Sequence, residues 1–429
     1  MKKTAFTICA KNYIGLALAL EKSIKKHNTD IDFYIFVADE FSLQEEFLNL
    51  PENVIIAKDV IGISECKWQQ MSFKYDITEF CTCIKPSCFK YVLEQFSADT
   101  CIYFDPDILV FNSLDVVYNQ LDQKSIIVTP HITTIEKVYT GNLNERKLLF
   151  SGMFNLGFLA LKNDMYSKKM LDWWEVRLED RCFQNMMENY FTDQKWMDFL
   201  PSFFPSQLLI STDLGLNVAP WNFFEREIVN VDGTFFVKKR IENDENIFYP
   251  LTFVHFSGYN YNALINGDIV QGNIKNSEDY RDFKEIFEIY ANLIKKSDFL
   301  KYIKLGYSYN YFSDGILISK IYRGLFRRLF EDGKINCNPF DEKGDFYFSL
   351  KNNKVLIAEM QKTDKESIAT VENVEQKTLI INKIFNILFK CIGANKFFML
   401  VRLMRLYSKI ENHVYLIDKS YLKNFKIRN

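Results

Sequence analysis

At 429 residues the chain is long for one domain, which leads us to expect one large domain with an appendage, or two domains. Its 48% hydrophobic content, with 40 Phe and 23 Tyr, supplies a sizeable core and excludes a disordered chain, while a net charge of -2 argues against a nucleic-acid partner. No uninterrupted run of 18 apolar residues occurs, and Lys11 and Asn12 break the apolar start before it becomes a signal segment. The expectation is therefore a cytoplasmic protein with reduced thiols and no membrane span.

In chain order, residues 3–9 (KTAFTIC) read as a first strand and 13–26 as a helix with Ile14 and Leu18 on one face. Strands follow at 31–38 and 54–57. Cys81, Cys83 and Cys88 have no fourth ligand or nearby His, so they read as small buried hydrophobes rather than a zinc site. Pro86 suits the first turn of a helix in which Phe89, Val92, Leu93 and Phe96 share a face. That helix leads to the stretch IYFDPDILVF (102–111), a strand that Pro106 should end near Phe104 or Asp105. Further strands are expected at 125–130, 154–161 and 252–256, with a helix-rich stretch between the last two and helix again over 278–304. Strands alternating with helices define an α/β class with a mostly parallel sheet and helices on both faces.

Two acids, Asp105 and Asp107, flank the turn at the end of that fourth strand, where open α/β sheets bind ligands. A turn with a capping aspartate needs only one acid. Two carboxylates on one loop suit Mg²⁺ or Mn²⁺, and a cation there would let a nucleoside diphosphate approach acids that otherwise repel it. His255 ends the 252–256 strand, and as a third ligand its imidazole would favour Mn²⁺.

The order of the motifs CAKNYIGLALALEKSI, YFDPDILVF, FNLGFLAL, FTDQKW, LNVAPWN and HFSGY resembles that of nucleotide-sugar glycosyltransferases of the GT-A fold, in the family of glycogenin and bacterial lipopolysaccharide galactosyltransferases. A group of bacterial polysaccharide-type members with DPD at this position is more similar, and TEFCTCIKP and YSYNYFSDGILISK extend the likeness to about residue 340. The resemblance implies a hexosyltransferase using a nucleotide-sugar, UDP favoured, with retention of anomeric configuration. It implies that Ala10, Lys11, Asn12 and Tyr13 line the nucleotide pocket, and that Asp105, Asp107 and His255 hold the metal. Asn155, Gly157 and Gly258 would border the donor, Asp193 and Gln194 would face the transferred sugar, and Asn217 and Trp221 would lie on the acceptor side. The family's lysine after the His-containing motif is missing, since Gly258 is followed by YNYNALING. Lys85 is placed either to take that role at the diphosphate or to be a structural lysine.

We expect a catalytic domain over 1–265, an accessory region over 266–360 packing on it, and a linker and basic tail over 361–429, the linker itself at 362–378. Residues 381–429 carry ten Lys or Arg against two acids, which leaves the rest of the chain at -10. In that tail Leu403, Leu406, Tyr407 and Ile410 share a helical face beside Arg402, Arg405 and Lys409. Such a segment either lies on an anionic membrane, as a lipid-linked glycan acceptor on the inner face would suit, or packs on the folded body. Two rival functions remain. A haloacid-dehalogenase-type phosphatase also uses D-x-D, but here Leu109 stands where it needs Thr or Val; a non-catalytic subunit of a polysaccharide assembly complex would keep the fold without turnover.

Overall fold

A computed structural model describes residues 1–42, 45, 49–240, 247–274, 276–335, 338–356 and 371–423. The chain divides into two compact units, one of Met1–Gly62 with Ile77–Ser308, the other of Ile63–Asp76 with Tyr309–Asn429. The first unit thus continues past the expected boundary at 265, and the second takes in a segment from well inside the expected catalytic domain.

In the first unit, β1 (Lys3–Cys9) is buried along nearly its whole length, because its residues are apolar or small on both faces. It lies inside a seven-stranded sheet between β2 (Asp32–Val37), followed outward by β3 (Val54–Ile56), and the central strand β4 (Thr100–Phe104). Near β4 in the chain comes β5 (Ile108–Val110); the sheet itself continues from β4 through β7 (Phe158–Lys162) and β6 (Ile126–Val128) to β8 (Leu208–Ile210). In that sheet only β7 runs antiparallel to its neighbours, β4 and β6. Helices α1 (Ile14–His27), α2 (Lys85–Gln95) and α3 (Met165–Arg181) supply the flanking layers. The α/β class with a mostly parallel sheet is as expected.

Two departures matter. The stretch expected to be helix-rich before residue 252 also holds an antiparallel sheet of β9 (Arg226–Val231), β10 (Thr234–Lys239) and β11 (Tyr249–Pro250). Its hairpin turns on Asp232 and Gly233, both at positive φ, the geometry whose twist matches paired strands. Second, β12 (Phe253–His255) does not join the main sheet but pairs antiparallel with β5, setting His255 opposite Ile108.

The second unit packs Phe73 of its inserted segment among Phe312, Phe326 and Phe346. The guanidinium of Arg323, on α4 (Lys320–Glu331), donates to the carbonyls of Ser72, Phe73 and Tyr75, tying the insertion to that helix. Val414, Ile417 and Tyr421 are buried in the same core, so part of the tail packs on the body. Residues 362–370 of the expected linker and 424–429 of the tail lie outside the described residues. From Val374 the chain is helical, and α5 (Val374–Tyr407) is long and apolar enough to cross a membrane by length and composition. A count of uninterrupted apolar residues passes over this stretch, because scattered lysines interrupt it without making it polar on average.

Candidate active site

The carboxyl end of β4 builds the site. Asp105 follows β4 directly, and its backbone N–H bonds the carbonyl of Gly157 at 2.8 Å. Because β5 resumes at Ile108 and pairs with β12, His255 is carried beside Asp107. His255 Nε2 lies 3.1 Å from Asp107 Oδ1 and 3.7 Å from Asp105 Oδ2, and one ligand atom from each of the three residues lies within 4.8 Å of the others. Adjacent ligands about 2.1 Å from a divalent ion sit about 3 Å apart, so this donor set of two carboxylates and one imidazole fits a divalent cation.

Second neighbours fix these groups. Asn155 Oδ1 accepts from His255 Nδ1 at 3.2 Å, from the Gly157 N–H at 3.1 Å and from Asn217 Nδ2 at 3.2 Å. With a proton held on Nδ1, it is Nε2 that would give up its proton and turn its lone pair to a cation on the acids' side of the ring. Asn217, wholly buried and at φ 53°, also donates to Thr129 Oγ1. Gly157 has no room for a side chain, since a Cβ there would come within 2.4 Å of His255 and 2.8 Å of Asp105. The Tyr103 hydroxyl donates to Asp105 and that of Tyr261 to Asp107.

Burial pushes the Asp105 carboxyl above its ordinary value against the pull of Lys85 and His255. Burial acts on Asp107 in the same sense, but His255 and the hydrogen bonds from His255 and Tyr261 outweigh it and hold Asp107 below the usual range. For His255, burial favours the neutral ring, yet Asp107 and Asp105 prevail and raise its pKa. The field that holds a proton on His255 is the field that would hold a cation.

Beside this cluster lies a buried ion pair. Lys85 Nζ is 2.5 Å from Asp193 Oδ2, donates to the Leu156 carbonyl, and sits 4.1 Å over the ring of Tyr103. Trp221 sets its ring edge-on to both His255 (5.2 Å) and His131 (5.5 Å), and its indole N–H, enclosed by protein, has no hydrogen-bond partner among the described residues. Tyr13 packs edge-on against Tyr261, which reaches Asp107. Asp105, Asp107, His255, Asn155, Gly157, Lys85, Asp193, Asn217, Trp221 and Tyr13 are therefore gathered at one end of the sheet.

Other expected residues stand differently. The Lys11 ammonium is engaged by Glu45, the Glu40 carbonyl and Ser308. The Gln194 amide is held by backbone at both ends, donating to Ser151 and accepting from Leu156. The Ala10 carbonyl accepts from the Tyr13 N–H, while the buried side-chain oxygen of Asn12 has no partner among the described residues. Gly258, at φ 74°, turns the chain after His255. The sequence reading missed Asp39, buried at the end of β2 and accepting from the Lys11 and Ser308 N–H groups. Its signal was the one used for Asp105, an acid directly after a strand. It also missed His131, buried with Nδ1 donating to the Gly152 carbonyl, and the two tyrosines on the acids.

No family model matches the sequence. The chain is 25% identical over 261 residues to the uncharacterized protein YfnF of Bacillus subtilis (strain 168), covering 59% of this chain and 80% of that one. Among solved structures it is similar to the galactosyltransferase LgtC in complex with donor and acceptor sugar analogues, at 16% identity and a TM-score of 0.38, covering 67% of this chain and 95% of that one. It is likewise similar to the glycosyltransferase GlyE of Streptococcus pneumoniae TIGR4, at 15% identity and a TM-score of 0.33, covering 73% of this chain and 67% of that one.

Proposed function

We propose that the protein is a metal-dependent, retaining glycosyltransferase that moves a sugar from a nucleoside-diphosphate donor, UDP favoured, to a glycan acceptor in bacterial surface polysaccharide or lipopolysaccharide synthesis. The observation that carries this reading is the Asp105, Asp107 and His255 cluster at the carboxyl end of β4, with the Lys85–Asp193 pair beside it. A divalent ion there, Mn²⁺ favoured by the imidazole, would supply Lewis-acid stabilisation of the departing diphosphate. The chain's own groups do the rest. Asn155 sets the His255 tautomer, and Gly157 keeps the approach to Asp105 clear. Lys85, paired with Asp193 and lowering the pKa of Asp105 through its charge, would add positive charge beside the diphosphate. Trp221, packed edge-on against His255, would border the acceptor side with its apolar ring. In this reading Asp39 joins the residues at the end of β1 that line the nucleotide pocket.

The test is thermal stabilisation by UDP-, GDP-, CMP- and dTDP-sugars, with and without Mn²⁺, on wild type and Asp107→Asn. Metal-dependent stabilisation by one donor, lost in the variant, is the expected outcome. No shift by any donor in the presence of metal rejects the reading.

A further inference from the structure

Helix α5 spans 34 residues and not one of them is buried. Leu379, Ile380, Ile384, Ile387, Phe398 and Met399 are each more than half exposed. A helix apolar on its surface and left uncovered needs a partner. The chain's charge says which kind. Between Glu375 and Glu411 there is no acid, while Lys377, Lys383, Lys390, Lys396, Arg402, Arg405 and Lys409 supply seven cations. A second copy would set like charge against like; an anionic bilayer surface would meet both the charge and the apolar side chains.

The shape decides how such a surface is met. Gly393 stands at φ 74° and ψ 166°, outside the helical region, and breaks α5 into arms of residues 374–392 and 394–407. Phe397 packs against Phe385 at 6.0 Å and Phe389 at 5.4 Å, filling the inside of the bend. At about 1.5 Å per residue the arms are about 28 Å and 21 Å long, both short of a hydrocarbon core of about 30 Å. The first arm also carries Glu375, Lys377, Lys383 and Lys390, so an apolar stretch of spanning length arises only by adding pieces of both arms across the bend. The far arm is tied down where it ends. Asn412 and His413 donate to the carbonyls of Leu406 and Tyr407, Glu411 pairs with Arg327, and Val414 is buried in the second unit.

We propose that α5 is a bent, two-armed segment that lies on an anionic membrane with its apolar side chains at the headgroup boundary of one face, without crossing the bilayer. It rests on charge and shape and needs no donor chemistry, so the vesicle test below and the donor panel above fail separately. Full-length protein is sedimented with phosphatidylcholine vesicles with or without phosphatidylglycerol, then washed at alkaline pH. We expect binding that is at least about tenfold stronger with the anionic lipid, is weakened about tenfold in 0.5 M salt and is released by the wash, as screened, surface-held charge requires. Lys390→Glu with Lys396→Glu and Arg402→Glu should abolish the lipid preference, and Ile387→Ser with Phe398→Ser should weaken binding at low salt, both with unchanged thermal unfolding. Equal binding to neutral vesicles, resistance to the wash, or no vesicle binding together with concentration-dependent dimerisation each overturns the proposal.

Discussion

Gly157 shows how little tolerance the cluster has. A methyl group there would meet the ring of His255 and the carboxylate of Asp105 at distances that force one of them away. Gly157→Ala should therefore lose Mn²⁺ affinity by at least tenfold while unfolding at nearly the same temperature, measured by titration calorimetry and by circular dichroism. Asn155→Ala tests the other support. Without Oδ1 to hold its Nδ1 proton the imidazole is free to rotate, and loss of such an outer partner costs about 10–100-fold in metal affinity. Of these residues the sequence showed the acids and His255, because strand ends and residue chemistry are visible in one dimension. Asn217 and Tyr103 could be assigned no such role, since which amide or hydroxyl meets them depends on packing from distant segments.

Buried charge is the theme among the elements. Lys85 begins α2 and Asp193 lies far along the chain, yet both are almost wholly enclosed. Removing either alone should cost about 3–5 kcal/mol, because it strands the other, whereas Lys85→Met with Asp193→Leu should restore much of that stability. Denaturant unfolding of the two single variants and the double variant reads the difference; equal additive losses would contradict the pairing. Two further groups set opposite pH slopes. Burial raises the Asp39 carboxyl to about 6, so its contribution to stability is present below about 4 and lost as pH rises through 6. Burial lowers His131 to about 4, so its contribution is present above about 6.5 and lost as pH falls through 4. Between pH 4 and 6 the two oppose each other, each on the order of 3 kcal/mol. Asp39→Asn should uncover a stability that climbs with pH over that window, and His131→Asn one that falls. The β9–β10 hairpin was legible at this scale and was passed over, since Asp232-Gly233 sits between two alternating runs, REIVNV and TFFVKK. Pairing of β5 with β12 was not legible, because a three-residue strand carries too little pattern to name its partner.

For the molecule as a whole, the parallel sheet could be read from the alternation of apolar strands and helices, but the division of the chain could not. Segment 63–76 looks in sequence like any helix of an α/β domain. Only the matching of Phe73 and the backbone carbonyls around it to Arg323 and the Phe312–Phe346 cluster assigns it to the second unit. A fragment ending at Ser308 should consequently expose Trp68 and Phe73 and aggregate, whereas the same fragment with 63–76 replaced by a short polar linker should remain in solution, as size-exclusion chromatography would report.

That insertion also sets a timetable for synthesis. Trp68 hydrogen-bonds Tyr309, 241 positions later in the chain. At about 5–20 residues per second, the segment emerges from the ribosome on the order of 10–50 s before its partners exist. Trp68 and Phe73 must therefore stay uncovered by their native partners until translation of the last hundred or so residues lets the second unit form.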